Sequence, residues 1–246
     1  MEELGQIDGS RQARDVTSSA CKISGKGKAM IVVREPMIVC GIKLIPLIAD
    51  AFGAGEVTLH ENLDDGTEAQ PGQSIGTLIG PQSQILLIER TVLNFLQKLC
   101  GISTGTKRFV SLIEQHGVGL LDTRKTTPGL RSLEKYATGC GGSYNHRMGL
   151  YDRILAKDNH LAAASVDNPA KLELFVRDLK KSQSGFLVEV EVDGLDQLDA
   201  VLQGGADAVL LDNFSPDDIA KAVNLNHDRA ILEASGGINE KNISLY

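Results

Sequence analysis

No apolar run in this 246-residue chain approaches the ~20 residues that span a bilayer. The acidic start, Met1-Glu2-Glu3-Leu4, lacks the basic-then-apolar order of a signal peptide. Neither feature asks for a membrane, so a cytoplasmic protein is expected. Low-complexity tracts are missing too. The four cysteines (Cys21, Cys40, Cys100, Cys140) form no C-x-x-C pair, which sets aside a zinc ribbon and a disulfide framework in favour of reduced, mostly buried thiols. Positive net charge is also lacking. A total of −7 argues against nonspecific nucleic-acid binding, and any anionic ligand would need a local basic pocket.

What is present divides into two textures. From about Ala20 to Ser83 the chain is glycine-punctuated and β-rich. Residues 29–33, 57–60 and 72–80 are expected as strands, with a short helix over 42–51 and a turn at Asp64-Asp65-Gly66. The last of these strands has the look of a biotinyl or lipoyl carrier turn. No lysine lies between Lys43 and Lys98, however, and that excludes a swinging arm. Residues 83–116 read as a helical connection that Gly101 should interrupt. The segment Gly101-x-x-x-Gly105-Thr106-Lys107 has the wrong spacing, and no preceding strand, for a nucleotide-binding loop.

From Val118 onward, short apolar runs end in polar residues and lead into helical patterns. Gly119–Leu121 runs into Asp122, Ile154–Ala156 into Lys157, and Phe186–Val190 into Glu191. Ala208–Leu211 then runs into Asp212, and Ile231-Leu232 into Glu233-Ala234-Ser235. Helices are expected over Leu195–Leu202 and from Ser215-Pro216-Asp217-Asp218, a serine N-cap with proline at N1 and acids in the first turn. Such repeats imply a parallel sheet, here an α/β barrel, whose C-terminal strand ends carry the chemistry.

Those ends concentrate charge. Between Asp122 and His160, seven Lys or Arg stand against four acids, a local +3 in a chain of −7, so the remainder carries −10. Arginine forks and lysine point charges suit a carboxylate or phosphate ligand. A surface helix with i,i+4 pairs would account for Arg131, Glu134 and Lys135, but not for Arg124-Lys125 or His146-Arg147. Glu191 and Asp212 suit ribose hydroxyls, Mg²⁺ held through water, or a cationic transition state. Ser235-Gly236-Gly237, between a strand and a helical segment, suits a phosphate. A phosphorylated sugar and an anionic co-substrate fit this set.

The motifs then become specific. Residues 122–131 (DTRKTTPGLR), 134–137 (EKYA), 141–150 (GGSYNHRMGL) and 157–160 (KDNH) resemble the signature of quinolinate phosphoribosyltransferases. The likeness extends to residues 14–18, 89–95, 189–192, 211–213 and 233–238. It implies an incomplete, TIM-like α/β barrel of the type II phosphoribosyltransferases over residues 84–246, preceded by an α+β sandwich over 1–83. Members of the family continue past the position of Tyr246 through a further strand and helix, so the barrel is expected to lack them. The implied reaction joins quinolinate to phosphoribosyl pyrophosphate with Mg²⁺ and no organic cofactor. By position, Arg124, His146 and Arg147 would grip the quinolinate carboxylates, and Lys125 and Lys157 would lie between quinolinate and the sugar phosphates. Glu191 and Asp212 would serve the ribose and the metal, with Lys125, Lys157, Glu191 and Asp212 as the catalytic set. Ser235, Gly236 and Gly237 would cradle the 5′-phosphate. Arg90 would reach the neighbouring subunit's site, which implies a homodimer or higher oligomer. Alternatives are a relative linked to molybdenum transport, a Schiff-base lyase using Lys157, and a truncated binding-only homologue.

Overall fold

In the computed structural model, residues 15–246 are described; Arg14 and the Met1–Leu4 segment lie outside them. Two compact units divide the chain, residues 1–145 and 146–246.

Among the described residues of the first unit, α1 (Val16–Ala20) comes first, capped by the Asp15 carboxylate, which accepts from the Thr17 and Ser18 N–H groups. There follow β1 (Lys26–Val32), β2 (Met37–Ile38), a 3₁₀ turn at Ile42–Leu44, and α2 (Ile45–Ala51). Then come β3 (Thr58–Glu61), β4 (Glu68–Ala69) and β5 (Ser74–Pro81). The sheet runs β1-β5-β3, all antiparallel, with β2 paired to β4 separately. The expected turn is present: the Thr67 N–H donates to Asp64 O at 3.2 Å, and Asp65 accepts from the Ile42 N–H at 3.1 Å.

The helix after β5 corrects one expectation. α3 (Gln82–Ile113) passes through Gly101 without a break. A glycine in a helix interior costs only about 0.5–1 kcal/mol relative to alanine, and packing on both sides outweighs that. Ile85, Ile88, Val92 and Leu96 close the core over Val39, Ile45, Ile75 and Leu78. Beyond the glycine, the Ser103 hydroxyl donates to Ile38 O at 2.7 Å, and Thr104 Oγ1 accepts from the Ile38 N–H at 2.9 Å. Stripe and anchor continue, so the helix does.

Residues 119–121 give a second correction. They form no strand of a sheet; Leu121 makes an isolated bridge with Tyr144. The loop that follows leads into α4 (Arg131–Cys140). Gly141 ends that helix where any side chain would collide with Ser103 O and Thr106, so α3 and α4 are in close approach there.

The second unit holds β6 (Ile154–Ala156), α5 (Asp158–Ala163), α6 (Pro169–Ser182), β7 (Val188–Val192), α7 (Leu195–Gly204), β8 (Ala208–Asp212), α8 (Pro216–Asn226) and β9 (Ile231–Ser235). The strands are parallel in the order β6-β7-β8-β9, the wall of an incomplete α/β barrel. Ser215 caps α8 by accepting from the Asp218 N–H, and Pro216 stands in the first turn, as the local sequence requires. β7 lies two residues later than expected, so Glu191 is inside the strand and not after it. The cause is local: Phe186 closes a turn onto Gln183 O, while Asp207 fixes the strand start through the Val188 N–H at 2.7 Å. The residues after Gly237 form only a 3₁₀ turn, Ile243–Leu245, where an α-helix was expected.

Among the described residues, no helix is long and apolar enough to cross a membrane. Cys40 and Cys100 are buried, Cys140 is half-buried and Cys21 is exposed.

Candidate active site

Side chains alternate across a strand, so each strand of the parallel sheet has two faces. On one, Val188, Val190, Val192, Val209 and Leu211 pack against Leu172 and Val176 of α6, Leu198 and Val201 of α7, and Ala222 of α8. The opposite face is different. Register places Leu155, Glu189, Ala208 and Ile231 in one row, then Glu191, Leu210 and Glu233, then Asp212 beside Ser235. A parallel sheet covered on both sides would carry apolar residues throughout. Three glutamates and an aspartate on the inner face therefore need partners.

Glu191 has one in Lys157, which stands just past β6 and forms an ion pair with its carboxylate. The Lys157 backbone is held where α5 begins, because His160 Nδ1 reaches back to accept its N–H at 3.1 Å. This reciprocal cap is why Lys157, Asp158, Asn159 and His160 act as one structural word. Asp212 ends β8 half-buried and accepts from Asn213 Nδ2 at 2.7 Å. Asn213 sits at φ +56° and donates its N–H to Ser235 O at 2.8 Å, tying the ends of β8 and β9 together. Gly236 follows at φ +95°, and a side chain there would collide with Asn213; only glycine makes this turn. Gly237, also at positive φ, continues it, and its carbonyl accepts from Asn239 and Asn242.

His146 is buried on the same unit. Its Nε2 lies 3.0 Å from Glu189 Oε2 and 3.4 Å from Glu233 Oε2. Those hydrogen bonds, Glu189 first and Glu233 next, push the imidazole pKa up to about 9 against the opposing effect of burial. Burial works to raise the pKa of Glu189, but the hydrogen bond and charge of His146, with Arg153 at 3.2 Å, leave it below the ordinary value. Arg147, next in sequence, is half-buried. Neither Glu189 nor Glu233 was given a role by sequence reading. The signal was there in Val-Glu-Val-Glu-Val (188–192), whose period of two puts Glu189 on the face of Glu191.

The first unit carries Arg90, Arg124 and Lys125. Arg90 is exposed on α3, and Lys125 is exposed on the loop before α4. Arg124 is half-buried, and its Nε is buried without a hydrogen-bond partner. A buried network shapes this loop. Asp122 is ion-paired to Lys135 and accepts from Thr138 Oγ1 at 3.1 Å and Asn145 Nδ2 at 2.7 Å. Glu134 accepts from the Thr127 N–H at 2.9 Å and pairs with Lys98 at 2.8 Å. The Lys98 hydrogen bond, followed by that of Thr127, lowers the Glu134 pKa to about 2. The surface-helix expectation for Glu134 and Lys135 is thus overturned: Lys135 is 2% exposed, and its partner is not on its own helix. Arg131, also assigned to that surface helix, is half-buried and donates from Nε to Thr126 Oγ1 at 3.2 Å.

Six of the expected site residues (Lys157, Glu191, Asp212, Ser235, Gly236, Gly237) thus belong to the inner face or strand ends of one sheet, and His146, ahead of β6, reaches that face through Glu189 and Glu233, with Arg147 beside it. The other three stand on the first unit.

Residues 102–246 match the family model described as quinolinate phosphoribosyl transferase, C-terminal domain, and residues 15–100 match its N-terminal domain. The carboxylating nicotinate-nucleotide pyrophosphorylase of Mycobacterium leprae is 36% identical over 241 residues, covering 96% of this chain and 83% of that protein. The solved nicotinate-nucleotide pyrophosphorylase of Francisella tularensis superposes with a TM-score of 0.84 at 37% identity, over 94% of this chain and 80% of that one. NadC of Streptococcus pyogenes gives the same TM-score of 0.84 at 33% identity, again over 94% and 80%. With both family models spanning almost the whole sequence and the fold agreeing, the chain belongs to the quinolinate phosphoribosyltransferase family.

Proposed function

We propose that the protein converts quinolinate and phosphoribosyl pyrophosphate to nicotinate mononucleotide, pyrophosphate and CO₂, a step of de novo NAD synthesis. The observation that carries this reading is the inner sheet face, where Lys157 just past β6, Glu191 one residue inside the end of β7, and Asp212 and Ser235 at the ends of β8 and β9 stand on four neighbouring parallel strands. Departure of pyrophosphate leaves the ribose carbon electron-poor. Carboxylates fixed beforehand beside it, Glu191 and Asp212, stabilise that charge without reorganising, an effect worth several kcal/mol in such sites. Lys157, steadied by Glu191, supplies a positive point charge between the sugar phosphates and quinolinate. The backbone at Ser235, Gly236 and Gly237 takes the 5′-phosphate, where the two glycines, without side chains, allow close approach.

On quinolinate, Arg124, His146 and Arg147 bind carboxylate, and Lys125 adds a further cation. Support comes from the buried, unpartnered Nε of Arg124, which a ligand oxygen would satisfy. Once the ring nitrogen is alkylated it is positive; loss of the adjacent carboxylate as CO₂ leaves its electron pair on the ring carbon next to that charge, and that carbon takes a proton from solvent to give nicotinate mononucleotide. The ring is its own electron sink, so no organic cofactor enters the scheme. The hard oxygen donors of Glu191 and Asp212, on one face of adjacent strands, fit Mg²⁺ held through water. When bound with the substrate pyrophosphate, the metal would neutralise the leaving group.

In the same reading the protein works in the cytoplasm as a homodimer or higher oligomer, with exposed Arg90 of α3 entering the neighbouring subunit's site. The catalytic domain begins near residue 84, and the sandwich precedes it. A molybdenum-transport relative is not favoured, because the matched relatives carry the pyrophosphorylase name. The test mixes the protein with quinolinate, phosphoribosyl pyrophosphate and Mg²⁺ and follows nicotinate mononucleotide. Product formation is expected; a preparation that binds quinolinate and makes no product would reduce the chain to a binding-only homologue.

A further inference from the structure

Glu189 is the most deeply buried carboxylate of the second unit, with no exposed surface, on a strand whose other inner-face neighbours in its row are Leu155, Ala208 and Ile231. A carboxylate in such a place is stable only if cations and hydrogen bonds compensate its lost hydration. Two do: His146 Nε2 at 3.0 Å and Arg153 Nη1 at 3.2 Å both meet Oε2. Its second oxygen, Oε1, is buried with no hydrogen-bond partner. Glu233 comes to the same imidazole nitrogen from β9, two strands away. On β8, the strand between, Ala208 stands in the row of Glu189 and Leu210 in the row of Glu233.

We propose that Glu189 and Glu233 are positioning residues, a two-carboxylate clamp that fixes the orientation and the positive charge of His146 so that it meets the substrate carboxylate as a cation. The inference rests on the reading of His146 as a quinolinate-binding residue. The charged groups that meet in this cluster of the second unit include Glu189 from β7, Glu233 from β9, Arg153 ahead of β6, and His146 itself. Two carboxylates against one imidazole edge favour the protonated ring, and Arg153 balances the second negative charge. The pH consequence has a definite sign. An imidazole raised to about 9 stays charged from pH 6 to pH 8, whereas an unclamped one, near its ordinary 6.5, discharges across that interval.

A metal centre is the competing assignment, since the ligand atoms of His146, Glu189 and Glu233 all lie within 4.8 Å of one another. The guanidinium already bound to Glu189 opposes it, because a divalent ion would face a like charge on the same carboxylate.

The experiment has two arms on the full-length protein. Nitrogen-detected NMR of the imidazoles follows His146 from pH 5 to 10 in wild type, Glu233→Gln and Glu233→Asp, with and without one equivalent of zinc chloride. Calorimetry measures quinolinate affinity at pH 6 and pH 8 for the same three. Wild-type His146 is expected to remain an imidazolium through pH 8, with quinolinate affinity changing less than about twofold. Glu233→Gln should titrate clearly below wild type, with Glu189 still holding it above the ordinary 6.5, and should lose a few-fold in affinity between pH 6 and pH 8, while Glu233→Asp restores most of both. A Glu233→Gln protein that keeps the wild-type titration overturns the clamp, as does stoichiometric zinc capture by His146. Glu189→Gln, which keeps the shape of the buried side chain, repeats the NMR arm should Glu233→Gln fail to fold. If wild type shows a clamped, charged His146 and no quinolinate binding, the substrate assignment fails, and the NMR arm decides the clamp alone.

Discussion

Lys135 and Lys157 each close an ion pair with a carboxylate, but in opposite surroundings. Lys135 and Asp122, in the first unit, leave 2% and 5% of their side chains exposed, whereas Lys157 and Glu191, in the second, leave 39% and 12%. Asp122 is further held by Thr138 and Asn145, so its charge is committed to the protein's own groups. The Lys157 ammonium is reached by solvent and can exchange part of its attraction to Glu191 for a phosphate or carboxylate. Nothing in residue type separates the two pairs. Burial does: charges sealed from water hold a loop in shape, and charges at an open strand end remain available to a ligand.

Removing one partner of a sealed pair strands the other in a low-dielectric setting, a loss of about 3–5 kcal/mol. Lys135→Ala should show a deficit of that size in chemical denaturation. A loss below 1 kcal/mol would erase the distinction between the pairs. Gly101→Ala is the calibrating control for the first unit. The position is exposed in mid-helix, and an added Cβ would meet nothing within 4 Å. A gain of about 0.5–1 kcal/mol is expected, with turnover unchanged. A loss in place of that gain would mean that Gly101 serves a contact the helix alone does not explain.

Much of this was readable in advance, for physical reasons that differ by element. The Ser215 cap, the turn at Asp64-Asp65-Gly66 and the strands β6, β8 and β9 depend on short-range rules, and the sequence states those rules directly, whereas the start of β7 is fixed by Asp207. The unbroken course of α3 through Gly101 depends on Ser103 and Thr104 anchoring β2, some 65 residues earlier. Lys135 looked like a surface residue because its partner Asp122 is 13 residues away, outside the i,i+4 reach that defines a helix-surface pair. Residues 119–121 have strand composition, yet bridge pairing with Tyr144 at a single position is all that they find. For the candidate site, charge at strand ends singles out Lys157, Glu191 and Asp212, which the fold brings to neighbouring strands of one sheet. Glu189 and Glu233 escaped because their partner, His146, is 43 residues from the first of them and is matched only through the fold.

The measurement that tests the account most directly compares Lys157→Ala with wild type by denaturation and by nicotinate mononucleotide formation on the same samples. A partly exposed ion pair contributes about 0–1 kcal/mol to stability, while one preorganised charge at a reacting centre is worth about 10²–10³ in rate. The account predicts an unfolding midpoint almost unmoved and a rate reduced by about 100-fold or more. Turnover close to wild type in a variant that folds would contradict it, because the inner face of the parallel sheet would then not be where the reaction is run.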